Sequence, residues 1–337
     1  MSISNNERKA IVKICEAIKE HKNFLLTTHQ LPDGDGLGCE LAFLRILKKL
    51  GKNVVVMNEM PSSKIYSFLP GYSEIFTPDS YSKEILTPDV SIFFDCSTKQ
   101  RVGKVVSFIK DSLLINIDHH TGNSFFGDIN LVCEKRSSVG EICFFIADRL
   151  ACIDKDIAEC LYVSILTDTG SFRYNFNSET LSVITRLLKT GINPEEIADN
   201  VYNNNPVETL LLLGHALVNL QFDPEFHIAW TILNQSIFKK TKAAEQDSEI
   251  VIDILRTIEK TDFVFLVKER ETEIKFSLRS RKRCNVRKIA EYFGGGGHDN
   301  AAGFSLKNIP LDEAVRKFLR YLRENKDSLC ADGLTKV

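Results

Sequence analysis

Histidines and aspartates cluster at the ends of apolar runs through the first half of the chain. Phe24-Leu25-Leu26 leads into His29, Asp33 and Asp35. SIFFD ends on Asp95, LLINIDHH on Asp118, His119 and His120, and ECLYVSILTDTG carries Asp168 near its end. Each cluster alone has an ordinary explanation. A DxD step is most often a turn or helix cap, paired histidines are most often structural, and an aspartate before Thr-Gly forms turns. Their shared position is what matters, because in parallel α/β sheets ligands gather outside the C-terminal ends of the strands. Separate segments can then deliver carboxylates and imidazoles to one crevice. Such a set suits two divalent cations: carboxylates bridge ions, and imidazole nitrogens favour a transition metal over magnesium. Two cations about 3.5–4 Å apart stabilise both the attacking and the leaving oxygen at phosphorus. Gly34, Gly36 and Gly38 are expected to loosen a loop so that Asp33 and Asp35 can each be aimed at its own ion.

The elements that must position these residues are legible as short apolar runs. Residues 24–28, 53–57, 91–94 and 113–117 read as buried strands, and residues 41–50 between them read as helical. This alternation predicts an α/β fold with a largely parallel sheet. Ser4 with Glu7, and Ser138 with Glu141, have capping-box spacing, and a further helix is expected over 156–166. From about Thr180 to Leu220 the pattern is helical, punctuated by Gly191, Pro194 and Pro206. Strands return over 228–233, 263–268 and 273–278, with a helical pattern over 247–259. The tail after about Lys326 reads as loose.

The second half carries a different chemistry. KFSLRSRKRCNVRK holds seven Lys or Arg residues and no acid. A solvated basic edge is the usual fate of such a run. YFGGGGHDNAAGF follows, and four consecutive glycines let backbone N–H groups approach an anion closely. His298 comes directly after them, and the small residues beyond it read as a helix start.

Composition bounds the function classes. At 337 residues the chain predicts two domains, and its net charge of −2 excludes a polycation built for long nucleic acids. Nine cysteines without a CxxC pair read as free thiols of a reducing compartment. The first residues are charged, not signal-like, and no apolar run reaches membrane-spanning length, so a cytoplasmic protein without membrane contact is expected.

HQLPDGD, FFDCS, IDHH and ILTDTGSFR, in this order, resemble the four motifs of the DHH phosphoesterase family over most of the first 180 residues. RSSVGE resembles the family as well, although helix capping alone accounts for it. SLRS and GGGGHDNAAGF resemble the DHH-associated C-terminal domain of nanoRNase/pAp phosphatases and cyclic-di-AMP phosphodiesterases. The resemblance implies a DHH catalytic domain over 1–185, a helical linker over 186–223, and a smaller α/β substrate-binding domain over 224–325. It implies that His29, Asp33 and Asp95 hold one metal, and that Asp35, Asp95, His119 and Asp168 hold a second. Asp118 would orient its neighbours and His120 would face the substrate phosphate. Arg279 and Ser280 would grip a phosphate, and Gly296, Gly297 and His298 would contact the far nucleotide end. Arg101 and Arg173 follow metal motifs closely and could touch substrate, with helix-start or salt-bridge roles as the alternative.

The function so implied is two-metal hydrolysis, manganese-dependent, of very short nucleotides to nucleoside 5′-monophosphates. Substrates would be di- to pentaribonucleotides, linear or cyclic di-AMP, or pAp, and a homodimer is expected. A RecJ-like exonuclease is disfavoured because 337 residues leave little room for a further nucleic-acid domain. A family II pyrophosphatase would lack the GGGGH stretch. A non-catalytic nucleotide receptor would be expected to have lost metal ligands. Purely structural metal sites fit poorly beside a phosphate-type cluster.

Overall fold

The computed structural model describes residues 4–81, 87–281 and 284–329, without the side chains of residues 298 and 326–329. It divides into two compact units, Met1–Asn204 and Asn205–Val337.

The first unit begins with α1 (Asn5–Glu20), whose Ser4–Glu7 capping box forms as the spacing predicts. Six strands follow in the chain: β1 (Asn23–Thr27), β2 (Asn53–Met57), β3 (Ile75–Phe76), β4 (Val90–Phe94), β5 (Leu113–Asp118) and β6 (Ile129–Val132). They make one parallel sheet in the order β3-β2-β1-β4-β5-β6. The chain therefore reverses its direction of winding between β1 and β4. This is the switch point at which doubly wound sheets leave a crevice beyond the strand ends. β1 and β4 read as unbroken apolar runs because both faces of the sheet are covered. Phe24, Leu26, Ile92 and Phe94 face a core shared with α1, α2 (Gly34–Lys49), α3 (Val139–Arg149), α4 (Lys155–Asp168) and α5 (Ser178–Leu188). Leu25 and Phe93 face the other side, packing with Met57, Val102 and Val105. α6 (Pro194–Tyr202) closes the unit, with Asn193 as cap and proline in the first turn.

The glycines near Asp33 do not loosen a loop. Gly34, Gly36 and Gly38 lie inside α2, none with positive φ. A Cβ on Gly36 would sit 2.1 Å from Thr28 Oγ1, and one on Gly38 would sit 2.4 Å from the Cys160 carbonyl oxygen. Their role is close approach of α2 to β1 and α4, which bars any side chain there. Gly36 accordingly sets packing, not loop freedom.

The second unit opens with α7 (Val207–Val218) and forms a mixed sheet. β7 (Gln221–Asp223), β8 (Ile228–Leu233), β9 (Phe263–Glu269), β10 (Glu273–Ser280), β11 (Gly296–His298) and β12 (Ala301–Lys307) lie in the order β11-β12-β10-β9-β8-β7. Only β8 and β9 pair in parallel. α8 (Gln235–Thr241) precedes α9 (Glu249–Leu255), which packs with α7 on one face, against Val264 and Leu266. α10 (Val286–Tyr292) and α11 (Leu311–Leu329) cover the other, around Phe265, Phe276, Phe304 and Phe318. The small residues after His298 form a strand, not a helix start. Cβ atoms on Gly295 and Gly297 would strike the Gly303 and Ala301 carbonyls of β12, so the glycines admit that strand. Among the described residues seven cysteines are buried and free. Among the described residues no helix is long and apolar enough to cross a membrane.

Candidate metal centre

The ends of β1, β4 and β5 bring the predicted residues together. Asp33 is the N-cap of α2 and accepts from the backbone N–H groups of Asp35 and Gly36 at 3.1 and 3.2 Å. Its other oxygen lies 3.6 Å from His29 Nε2. Asp95 follows β4 with φ +55, a left-handed conformation that is uncommon outside glycine and that bends the chain out of the sheet. Its Oδ2 lies 3.3 Å from His29 Nε2, and its Oδ1 lies 3.7 Å from His119 Nε2 and 3.2 Å from His120 Nδ1. His119 Nε2 also lies 3.8 Å from Asp35 Oδ2 and 3.5 Å from Asp168 Oδ2. Three donor groups result: His29, Asp33 and Asp95; Asp35, His119 and Asp168; and Asp95, His119 and His120. Asp95 and His119 each belong to two of them.

Second partners fix the orientation of these side chains. The Nδ1–H of His119 donates to the Arg136 carbonyl at 3.2 Å, leaving Nε2 toward the carboxylates. The Nδ1–H of His120 donates to Asp118 Oδ1 at 2.7 Å. Asp118 is held in turn by Asn123 Nδ2 at 2.5 Å. With that proton given to Asp118, Asp95 Oδ1 is buried without an aligned donor, despite its 3.2 Å approach to His120. Asp35 accepts from the Val139 and Gly140 N–H groups at the start of α3, at 2.9 and 3.1 Å, and from the Ser164 hydroxyl. The positive end of α3 thus steadies this carboxylate. Around the same loop, Ser138 caps α3, but the Glu141 side chain does not return to the cap. It holds Arg136, Ser137 and Thr180 instead, so the predicted box is half formed.

The electrostatics join five acids and three imidazoles, of which Asp33 is exposed and the three imidazoles, Asp35, Asp95 and Asp118 are buried or nearly so. Burial opposes charge on His29, yet Asp33 and Asp95 raise its pKa to about 9. Burial likewise opposes charge on His119, which Asp168, Asp35 and Asp95 bring to about 9. Asp95 and Asp118 lift His120 to about 10 against the same burial penalty. Asp35 is raised well above the carboxylate range by burial, then by Asp168 and Asp95. Burial is also the first cause at Asp168, whose pKa stands at about 6, His119 pulling it down and Asp95 pushing it up. A buried acceptor without a donor and carboxylates that resist joint ionisation fit divalent cations.

In the second unit, Arg279 lies on the α9 face of β10, 3.5 Å from Glu249 Oε2. Alternation along the strand turns Ser280 to the opposite face. Its hydroxyl donates to the Cys284 carbonyl at 2.7 Å, and the residue is buried. Gly296 and Gly297 are exposed in β11, Gly297 with φ +140. The His298 side chain lies outside the described residues.

Sequence reasoning passed over Asn123 and Ser164. A polar residue four positions before Asp168 in an otherwise apolar helix was the available signal for Ser164, since i and i+4 share a face. Asn123 carries no such signal, because only the fold brings it to Asp118.

Residues 23–165 match the DHH family, N-terminal domain, and residues 231–325 match the DHHA1 domain. The bifunctional oligoribonuclease and PAP phosphatase NrnA of Thermus thermophilus is 31% identical over 301 residues, which is 89% of this chain and 89% of that one. The probable bifunctional oligoribonuclease and PAP phosphatase NrnA of Streptococcus mutans is 25% identical over 322 residues, 93% of this chain and 99% of that one. The crystal structure of an exopolyphosphatase-related protein from Bacteroides fragilis superposes with a TM-score of 0.88 at 29% identity, covering 95% of this chain and 97% of that one. With the motif residues gathered at one sheet edge and relatives matched along nearly their whole length, the chain belongs to the DHH family and carries a DHHA1 domain.

Proposed function

We propose that the protein is a manganese-dependent hydrolase of very short nucleotides, acting on di- to pentaribonucleotides, linear or cyclic di-AMP, or pAp, and releasing nucleoside 5′-monophosphates. The observation that carries this reading is Asp95, buried between two donor groups with Oδ1 lacking a donor. The names of the relatives, oligoribonuclease and PAP phosphatase, support the substrate class.

His29, Asp33 and Asp95 would hold one cation, and Asp35, Asp95, His119 and Asp168 the other. When bound, the two cations supply Lewis-acid polarisation of phosphoryl oxygen and lower the pKa of the attacking water. The protein's own groups do the rest. Asp118, itself held by Asn123, keeps the proton on His120 Nδ1 and so aims Nε2 at the incoming phosphate. Asp35 is held rigid by α3 and Ser164, which limits reorganisation during reaction. Mixed nitrogen and carboxylate donors favour manganese over magnesium. In this reading residues 1–185 catalyse, 186–223 link, and 224–325 bind the far part of the substrate through Arg279, Gly296, Gly297 and His298, while Ser280, buried with its hydroxyl on the Cys284 carbonyl, supports that strand and does not grip phosphate itself. Arginine suits that task because its planar fork grips phosphate through two bonds.

The test is hydrolysis of cyclic di-AMP, pApA and pAp with manganese or magnesium, products being separated chromatographically, with Asp95→Ala as control. Turnover of at least one substrate, manganese-dependent and lost in Asp95→Ala, is expected. Undiminished turnover by Asp95→Ala without added metal sinks the reading.

A further inference from the structure

Arg101 is held in place with unusual care for a half-buried arginine. It lies in the 3-10 segment Lys99–Phe108, six residues after Asp95. Its carbonyl accepts from Gln30 N–H at 2.7 Å, which ties this segment to the loop between His29 and Asp33. Its own N–H donates to the Thr98 carbonyl at 3.2 Å. Val102 and Val105 are fully buried against Leu25 and Phe93 and anchor the segment to the sheet. Gly103, at φ 59 and ψ −133, takes a backbone turn that only glycine adopts freely. A Cβ there would collide with the Glu59 carboxylate, which accepts from Lys104 N–H. The backbone on both sides of Arg101 is therefore fixed.

The side chain reaches into the metal centre. Arg101 Nη1 lies 3.2 Å from His120 Nε2. Among the described residues, Arg101 forms no ion pair with any carboxylate, although the chain supplies four aspartates to the adjoining centre. A guanidinium has five N–H donors and cannot shed its charge. One ring nitrogen at 3.2 Å satisfies little of that. The missing complement is an anion with several acceptor oxygens, and a phosphate matches the fork.

We propose that Arg101 is a substrate-contacting residue that, with His120, holds the non-bridging oxygens of the phosphate undergoing hydrolysis. The guanidinium moves from His120 Nε2 to the phosphate, which both side chains then face. This inference rests on the phosphoester reading of the site, but its test does not require the substrate to be known.

The experiment is calorimetric titration of inorganic phosphate into the manganese-loaded full chain, comparing wild type with Arg101→Gln and Arg101→Lys. Glutamine keeps an N–H for His120 but not the charge, so a residue that merely orients His120 would be rescued by it. The expected result is about 10- to 100-fold weaker phosphate binding in Arg101→Gln, the loss typical of a charged hydrogen bond. Arg101→Lys should fall between the two, with manganese midpoint and thermal melting unchanged in both variants. Phosphate binding by Arg101→Gln equal to wild type overturns the proposal. So does a loss of phosphate binding that tracks a loss of manganese, and so does a wild type that takes up no phosphate. Arg101-dependent phosphate binding without hydrolysis of pAp, pApA or cyclic di-AMP would instead uphold this inference and remove the proposed substrates.

Discussion

Metal loading should expel at least two protons, because both ligating nitrogens carry one in the metal-free protein and Asp35 is raised well above the carboxylate range. His29 and His119 each have a pKa of about 9, held there by the surrounding aspartates against burial. A nitrogen must be unprotonated to bind a cation. At pH 7 each histidine lies about two units below its pKa, so giving up the proton costs about 2.7 kcal/mol, a factor of about 100 in affinity. With both histidines used, the apparent affinity for a pair of manganese ions should climb about two decades per pH unit between pH 6.5 and 8.5, then level off above 9. The same protons govern metal-free stability in the opposite sense. A histidine whose folded pKa exceeds the unfolded value of about 6.5 stabilises the fold fully below pH 6.5 and loses that contribution as pH rises through about 9. Metal-free melting temperature should therefore fall across this window while the increment from manganese grows. The assay is calorimetric titration of manganese into chelator-stripped protein, in buffers of different ionisation enthalpy, at several pH values. Release of less than about half a proton per protein, with affinity flat from pH 6.5 to 8.5, would refute the reasoning, because the histidines would then not be both protonated and ligating.

Two further substitutions probe the frame and the second unit. Gly38→Ala places a Cβ 2.4 Å from the Cys160 carbonyl oxygen, so α2 and α4 must separate. A loss of about 1–3 kcal/mol in urea unfolding is expected, and an unchanged midpoint would show that the contact yields freely. Arg279→Ala should raise the Michaelis constant for pApA while leaving the manganese midpoint unchanged. A lowered kcat with unaltered Michaelis constant would place Arg279 at the reacting phosphate instead.

What could be read in advance follows from how local each cause is. β1, β2, β4 and β5 were visible because a strand covered on both faces must be apolar throughout, and such runs stand out beside charged helices. The polar residues at their ends were visible for the same reason, as abrupt departures from that rule. The strand order was not, since nothing local to β1 and β4 says that they are neighbours at the point where winding reverses. Glycine was the ambiguous letter. In residues 34–38 the sequence suggests freedom to bend, but glycine serves close packing inside α2, and only the proximity of Thr28 and Cys160 distinguishes the two. After Tyr292 the same ambiguity hid β11 and β12, whose pairing needs the glycines for room.

Correcting the loop to a helix changes how Asp33 and Asp35 can work. A flexible loop would leave each carboxylate to find its own position at an entropic cost. As built, Asp33 is the cap and Asp35 lies in the first turn, so one helix start sends them to different donor groups. Asp33 still has its second oxygen beside His29 while capping with the first. Asp35 uses both oxygens on α3 and Ser164, and has only its outer lone pairs left for a cation. The division between two ions is thus set by rigid helices meeting at the sheet switch point, and Gly34 between the two aspartates cannot be enlarged without displacing Thr167.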